Sequence, residues 1–464
     1  MTCIKRLILL CMFAGCLIPC RGDETAADGR EKVTINGRTL SVLTVPEIHE
    51  MGFTDYPDIP RDDNAAYDYI RAMNSMKIPT KKVMPNIKKA FDDFLSGDKK
   101  YQWVDGVGLE ELIEKNVQTY ELLEQAAAKP QCAFPMDSSG QEMMAGMLVP
   151  HLSGMRALAR LVIARAAYRF YTKDTDGMIK DIQRLYQMIR ALDHDVMLIG
   201  GLVRVAMLAM THEFAEKVVL SGSADLATLG RIRTLAAENS KYIPRTEKYI
   251  GYEKIFGITT CKQIFKHSGM DMDMYNEILG LQIGGIENID SDGKAAVGKL
   301  FSILYPDRLM IRDMERFYDR LIEIVSLPYP EMVELHGKDF DERLFETIPD
   351  WNIIARMLLP ALSRTKTAMT KCKATFSLIQ LLCRLREFQL QNKKWPRKLD
   401  EIAEASAILD PFTGKGFLYK RSAHGFVLYS AGPNMRDDGG TGKDKDEKGI
   451  TIKYQYNPKQ GELQ

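Results

Sequence analysis

Leu409-Asp410-Pro411-Phe412-Thr413-Gly414, then Tyr419-Lys420, then Gly425-Phe426-Val427-Leu428-Tyr429-Ser430-Ala431-Gly432-Pro433-Asn434 is the stretch from which the fold of this 464-residue chain is read. Asp410-Pro411 and Thr413-Gly414 set tight turns ahead of a strand. Strands are predicted over 417–421 and 425–429, around Ser422-Ala423-His424. Gly432-Pro433 then forces the chain out of the sheet, because proline gives the ladder no N–H. A last strand is predicted over 450–456.

Working outward, a helix over about 366–392 leads into this stretch. Leu378, Leu381, Leu382, Leu385 and Phe388 fall on one side, and Arg384, Arg386, Glu387 and Gln391 on the other. Trp395-Pro396 turns the chain, and a short helix is predicted over 399–405. Further upstream, residues 151–240 are the clearest helical territory. Met155, Leu158, Val162 and Ala166 make an apolar stripe, with Arg156/Arg160 and Arg165/Arg169 on the wetter side. Thr172-Lys173-Asp174-Thr175-Asp176-Gly177 reads as a turn before a second helix carrying Ile179, Ile182, Tyr186 and Ile189. A third helix, about 196–219, is apolar in its first half. Arg204 and Thr211-His212-Glu213 mark it as a buried helix, not a membrane span.

Nearer the N-terminus, Val33-Thr34-Ile35-Asn36-Gly37-Arg38-Thr39-Leu40 carries the Asn-Gly hairpin signal. The segment 56–60 is read as extended, with a first helix after Asp62 or Asp63 capped by Asn64. Helices are also predicted over about 84–96 and 108–128. From 241 to 365 the helical pattern continues, broken by Gly-rich turns at 279–285 and 289–298 and by Pro306, Pro328 and Pro330. The fold class is therefore mainly α: a helical-hairpin region, solenoid-like or a bundle, followed by a small α+β C-terminal module. The division is 1–22, 23–62 (linker with hairpin), 63–365 (helical region) and 366–464 (α+β module with charged tail).

The helical hairpins resemble tetratricopeptide-type solenoids in architecture, without a clean 34-residue repeat. A plain bundle accounts for them as well. The C-terminal order resembles the globular half of type II secretion major pseudopilins. Its marks are a long helix, a Trp-Pro turn, Asp-Pro-Phe-Thr-Gly, a Tyr-containing strand and Gly-Phe-x-Leu-Tyr-Ser-x-Gly-Pro. The likeness covers about 366–455. It implies a calcium ion in the following loop, where Ser430, Ala431, Asn434, Asp437, Asp438, Asp444 and Asp446 offer oxygens of the kind calcium takes. Three departures stand against it. Asn434 replaces an Asp, Arg436, Lys443, Lys445 and Lys448 nearly cancel the loop's acids, and the long hydrophobic pilin helix is missing. The alternative for this loop is a solvated charged tail. The whole chain also resembles exported planctomycete-type proteins that join a helical region to such a tail.

Lys5 and Arg6 precede an apolar run over 7–18, ended by Pro19. About a dozen apolar residues suit a signal peptide and are short for a span. Cleavage after Gly22 places the chain in the periplasm or at the cell surface. Lipoprotein processing at Cys16, after Phe13-Ala14-Gly15, is the alternative and the only route to membrane attachment. Four of the eight cysteines lie in this leader. Cys132, Cys261, Cys372 and Cys383 contain no CxxC pair, which argues against a zinc ribbon or redox site. Cys372 and Cys383, about 16 Å apart along one helix, cannot pair there. All four are expected as buried free thiols.

A net charge of +1, with 27% charged and 45% hydrophobic residues, gives no basic excess for nucleic acid and no acidic excess for a disordered chain. No GxSxG, Walker or GxGxxG motif occurs. His212 and Glu216 stand one helical turn apart and could share a metal, or simply end a surface helix. Asp193-His194-Asp195 could orient an imidazole, or cap a helix end. Asn288-x-Asp290-x-Asp292-Gly293 matches the start of an EF-hand loop, but Lys299 stands where a glutamate is needed, so a polar turn is expected. The expectation is an exported, non-enzymatic protein-interaction or scaffold protein with a protein partner and a structural calcium site. The alternative is a metal-dependent hydrolase using His194, His212 and neighbouring acids.

Overall fold

The computed structural model describes residues 30–77, 109–139, 144–221, 223–266, 269–271, 291–304, 306–338, 340–350, 352, 356, 363–422, 425–439 and 450–455. The signal peptide expected over 1–22, with Cys16, the helix expected over 84–96 and the turns expected at 279–285 lie outside them.

β1 (Lys32–Ile35) and β2 (Arg38–Ser41) pair antiparallel around Asn36-Gly37, with φ of 51° and 77°. Two positive φ values are what a hairpin turn matched to strand twist requires. α1 (Val45–Glu50) follows, with the Glu47 carboxylate accepting from Thr44 N at 2.8 Å. It lies in a stretch that gave no helical period in the sequence, being less than two turns long. α2 (Ala65–Ser75) starts at its expected cap, since Asn64 Oδ1 accepts from Ala66 N at 3.0 Å. The helix expected over 108–128 comes as α3 (Leu109–Lys115) and α4 (Val117–Ala128).

α5 (Pro150–Tyr171) and α6 (Thr175–Arg190) form a helical hairpin. Asp174 caps α6, accepting from Gly177 N at 2.9 Å. Arg165 departs from the amphipathic reading: it is buried, not on a wetter side. Asp181 receives its guanidinium on both oxygens, Arg169 adds a bond at 2.9 Å, and the Tyr120 ring lies 3.9 Å from the Arg165 carbon. The partner that allows this burial sits on the next helix, which the spacing within α5 does not show. Burial holds the Asp181 carboxyl above its ordinary value in spite of two arginines.

α7 (Leu198–Leu220) is long and apolar enough to cross a membrane by composition, yet Arg204 and His212 are each only 1% exposed in the protein interior. α8 (Leu226–Asn239) and α9 (Thr246–Ile264) follow, then a two-stranded ribbon of β3 (Phe265–Lys266) and β4 (Gly269–Met270). α10 (Ser291–Leu304) overturns the expectation of a Gly-rich, polar turn here. Asp292 and Gly293 stand inside this helix, so neither a Gly-rich turn over 291–298 nor an EF-hand loop forms there. The run from Lys294 to Leu304 has good helix formers, which outweigh two isolated glycines. Asn288 and Asp290 lie outside the described residues.

α11 (Asp307–Ser326), α12 (Tyr329–His336) and α13 (Phe340–Glu346) complete the middle region. The long α14 (Ser363–Asn392) then returns to pack on α7 and α8. In a solenoid, repeats touch only their sequence neighbours, so this packing is that of a bundle. It also accounts for Arg386 being buried: α14 is covered on more than one side. The helix expected over 399–405 is two 3-10 turns, Leu399–Glu401 and Ala405–Ala407, because Glu404 at φ 60° breaks the run.

β5 (Leu418–Ser422), β6 (Gly425–Tyr429) and β7 (Thr451–Gln455) form one antiparallel sheet in the order β5-β6-β7. Phe412, Phe426 and Leu428 belong to the same hydrophobic core as α14 and the helices before it. Tyr329 of α12 bridges the two regions, with its ring 4.7 Å from Phe412 and its hydroxyl donating to Pro433 O at 3.3 Å. A second, smaller core gathers Phe53, Tyr56, Met136, Val196, Tyr249 and Tyr252. Cys132, Cys261, Cys372 and Cys383 are free and buried. Burial pushes the thiols of Cys261 and Cys372 up to about 12, far from a reactive thiolate.

Candidate functional site

The C-terminal loop is built around a residue that sequence reasoning treated only as a turn former. Asp410 is 1% exposed, and its carboxylate accepts from Phe412 N at 3.0 Å and Ala431 N at 2.9 Å. Ser430 Oγ lies 2.9 Å from both of its oxygens and accepts from Gly432 N at 3.0 Å. Ser430 and Ala431 thus turn their hydroxyl and N–H onto Asp410, and only their carbonyls remain for a metal. The signal for this was present in Asp-Pro and Ser-x-Gly, two turn motifs whose polar groups need partners once buried.

Asn434 Oδ1 accepts from Arg436 N at 3.0 Å, closing a local turn. Asp437 accepts from the Tyr429 hydroxyl, from Gly439 N at 3.0 Å and from Lys420 Nζ at 3.4 Å. These donors, Tyr429 first, hold its carboxyl below the ordinary value. Asp438 adjoins it; Asp444 and Asp446 lie outside the described residues. Asn434 and Asp437 offer hard oxygens of the type calcium takes, and both already accept hydrogen bonds within the loop. A cation bound there competes with the Lys420 ammonium. Among the described residues, no group of three or more His, Cys, Asp or Glu is placed to hold a metal.

The histidines do not converge. His212 is not at a surface helix end: its ring meets Phe376 edge-on at 4.4 Å, and Nε2 lies 3.1 Å from the Tyr186 hydroxyl. Burial pushes its imidazole down to about 3, so it is neutral at pH 7. Glu216, one turn on, is pushed up to about 7 by burial and then by Glu213. His194 lies in the turn between α6 and α7, where burial and then Lys248 lower its proton affinity.

Neither acid beside His194 serves it. Asp193 accepts from Arg204 Nη1 at 2.6 Å, while the same guanidinium reaches Tyr249 Oη at 3.2 Å and donates to Tyr242 O at 2.8 Å. Asp195 instead holds His151, whose Nε2 donates to its Oδ2 at 2.7 Å. The His151 ring stacks on Phe134 at 4.6 Å. A bare backbone lets Asp195 and Tyr249 approach α7: a Cβ on Gly200 meets the Asp195 carboxyl at 2.3 Å, and one on Gly201 meets the Tyr249 ring at 2.8 Å. Around this knot, Lys248 Nζ donates to Asp193 O at 3.0 Å, Tyr252 donates to Asp55 at 2.5 Å, and Glu253 accepts from Leu198 N at 3.2 Å. The sequence could not pair His151 with Asp195, because nothing in the spacing relates a helix start to a distant interhelical turn.

The fold and its sites therefore define a mainly α-helical protein with small antiparallel sheets. No protein-family model, no curated protein and no solved structure matches the chain.

Proposed function

We propose that this protein is an exported, non-enzymatic interaction scaffold. Its helical bundle carries a pseudopilin-like C-terminal module in which calcium stiffens the loop after β6. The single observation that carries the choice against a hydrolase is the divergence around His194: Asp193 is tied to Arg204, Asp195 to His151, and His212 to Tyr186. A hydrolytic site needs such groups converging on one cleft. The charged leader and the apolar run over 7–18 support export. The loop oxygens of Asn434, Asp437 and Asp438, with the carbonyls of Ser430 and Ala431, support the calcium site.

Two measurements on the purified mature chain test this. Thermal unfolding is followed with calcium and with chelator. A calcium-dependent rise in Tm, lost in the Asp437→Ala/Asp438→Ala variant, is the expected result; no shift at millimolar calcium removes the metal from the proposal. A panel of ester, phosphoester and peptide substrates is assayed with zinc and manganese. Turnover abolished by His194→Ala overturns the scaffold reading in favour of the hydrolase.

A further inference from the structure

The C-terminal sheet has an open edge. Its order is β5-β6-β7, and β5 has β6 as its one ladder partner among the described residues. Ser430 N donates to Ile450 O at 3.0 Å, so Ser430, Leu428 and Phe426 direct their backbone groups to β7. Val427, between them, then faces β5, and its partner Lys420 faces back. The N–H and C=O groups of Tyr419 and Arg421 therefore point away from the sheet. They make no hydrogen bond among the described residues. Lys420, Arg421 and Ser422 are exposed, so this end of the strand is open to solvent.

Positive charge gathers beside that edge. Arg421 stands opposite Phe426, on the sheet face that carries Trp395. The Trp395 ring lies 4.7 Å from Phe426, and the Tyr419 hydroxyl donates to Pro396 O at 2.9 Å. The Trp395-Pro396 turn thus sits against β5, flanked by Lys393, Lys394, Arg397 and Lys398, all exposed. Neither these four nor Arg421 forms an ion pair among the described residues. Asp400 and Glu401 are the acids next to the turn. Glu401 is turned to its backbone, accepting from Arg397 N at 2.7 Å and Lys398 N at 3.1 Å. Such cations repel a second copy of the same edge, and they favour a strand that carries carboxylates.

We propose that β5 takes an extended, acidic polypeptide segment of a partner protein as a fourth strand. The segment's main chain bonds to Tyr419 and Arg421. Its carboxylates, two residues apart on one face, meet Arg421 and the cations of the Trp395-Pro396 turn. The proposal names a partner class for the scaffold reading and stands without the calcium site. Its failure removes this edge alone, whereas the hydrolase assays decide the scaffold reading.

Calorimetric titration of the full mature chain with a capped seven-residue peptide alternating glutamate and valine tests it. Saturable binding is expected, reduced by salt and weaker by about threefold in Arg421→Gln. Arg421→Pro removes an outward N–H and no bond to β6, so it is expected to keep the thermal midpoint and to bind about tenfold more weakly. Methylating every second peptide amide, in each of the two registers, tests the ladder without altering the protein, and loss of binding in one register is expected. No binding at millimolar peptide overturns the proposal. Binding that both methylated peptides retain reduces the surface to charge attraction and overturns it too, as does equal binding of a peptide with glutamine for glutamate. Sedimentation of the chain alone supplies the last outcome: self-association broken by Arg421→Pro assigns the edge to a second copy and overturns the acidic partner.

Discussion

Ser430 Oγ lies 2.9 Å from both carboxylate oxygens of Asp410, joining the turn before the C-terminal sheet to the end of its central strand. Twenty residues separate them in the chain. Because Asp410 also holds the N–H groups of Phe412 and Ala431, one buried carboxylate organises both turns.

Asp410→Ala leaves these donors buried and unpaired. A loss of about 3 kcal/mol is expected, from the cost of orphaning buried polar groups. Asp410→Asn keeps an acceptor oxygen and is expected to lose less. Urea unfolding with near-ultraviolet circular dichroism reads both, and equal stability of the alanine variant and wild type refutes the hub.

His212 makes stability sensitive to acid. Its folded value, about 3, lies below the ordinary 6.5, so the unfolded chain takes the proton first. The contribution is complete above pH 6.5 and is lost as pH falls from 6.5 towards 3, at up to about 1.4 kcal/mol per pH unit. His212→Gln is expected to lack this contribution, so that the stability of wild type relative to the variant shrinks as pH falls through that window. Denaturation midpoints measured across it decide the matter, and parallel profiles for the two proteins reject the prediction.

Glu253 acts with the opposite sign. Burial pushes its carboxyl up to about 7 against an ordinary 4.5, while the Leu198 N–H opposes the shift. The folded state therefore keeps the proton longer, and stability falls as pH rises from 4.5 to about 7. Between 4.5 and 6.5 this slope offsets that of His212, so wild type alone hides both. Glu253→Gln is expected to be more stable relative to wild type at pH 8 than at pH 4.5. A stability difference that does not change with pH contradicts it.

The knot around Arg204 has two separable parts. Arg204→Met strands the Tyr242 carbonyl and the Tyr249 hydroxyl, with an expected loss of about 3 kcal/mol. Gly201→Ala drives a methyl into the Tyr249 ring and is expected to lose about 1–3 kcal/mol by overpacking. The two share Tyr249, so their losses should not add in the double variant. Additive losses in chemical denaturation argue that the two contacts are independent.

Elements whose signal is local were legible in the sequence. The Asn36-Gly37 hairpin, the Asn64 cap and the strands around residues 422–425 follow from short-range rules on φ, hydrogen-bond donors and alternation. α7 read as a buried helix because a charged residue in an apolar run needs an interior partner, and Asp193 with Tyr249 supplies it. Short or broken elements escaped. α1 is too brief to show a period, and Glu404 in the left-handed region cuts a predicted helix into two turns.

By itself, then, the sequence determined the mainly helical class, the hairpin at Asn36-Gly37 and the strands of the C-terminal sheet, that the four described cysteines have no local pairing pattern, and which residues carry polar chemistry. Tertiary structure alone decided where that chemistry points. Arg165 is buried because Asp181 faces it from the next helix, and Asp195 meets His151 instead of His194. α14 closes a bundle because it returns to α7 and α8. Periodicity specifies which face of a helix is apolar, whereas the partner of a buried charge is set by long-range packing that spacing along one chain does not encode.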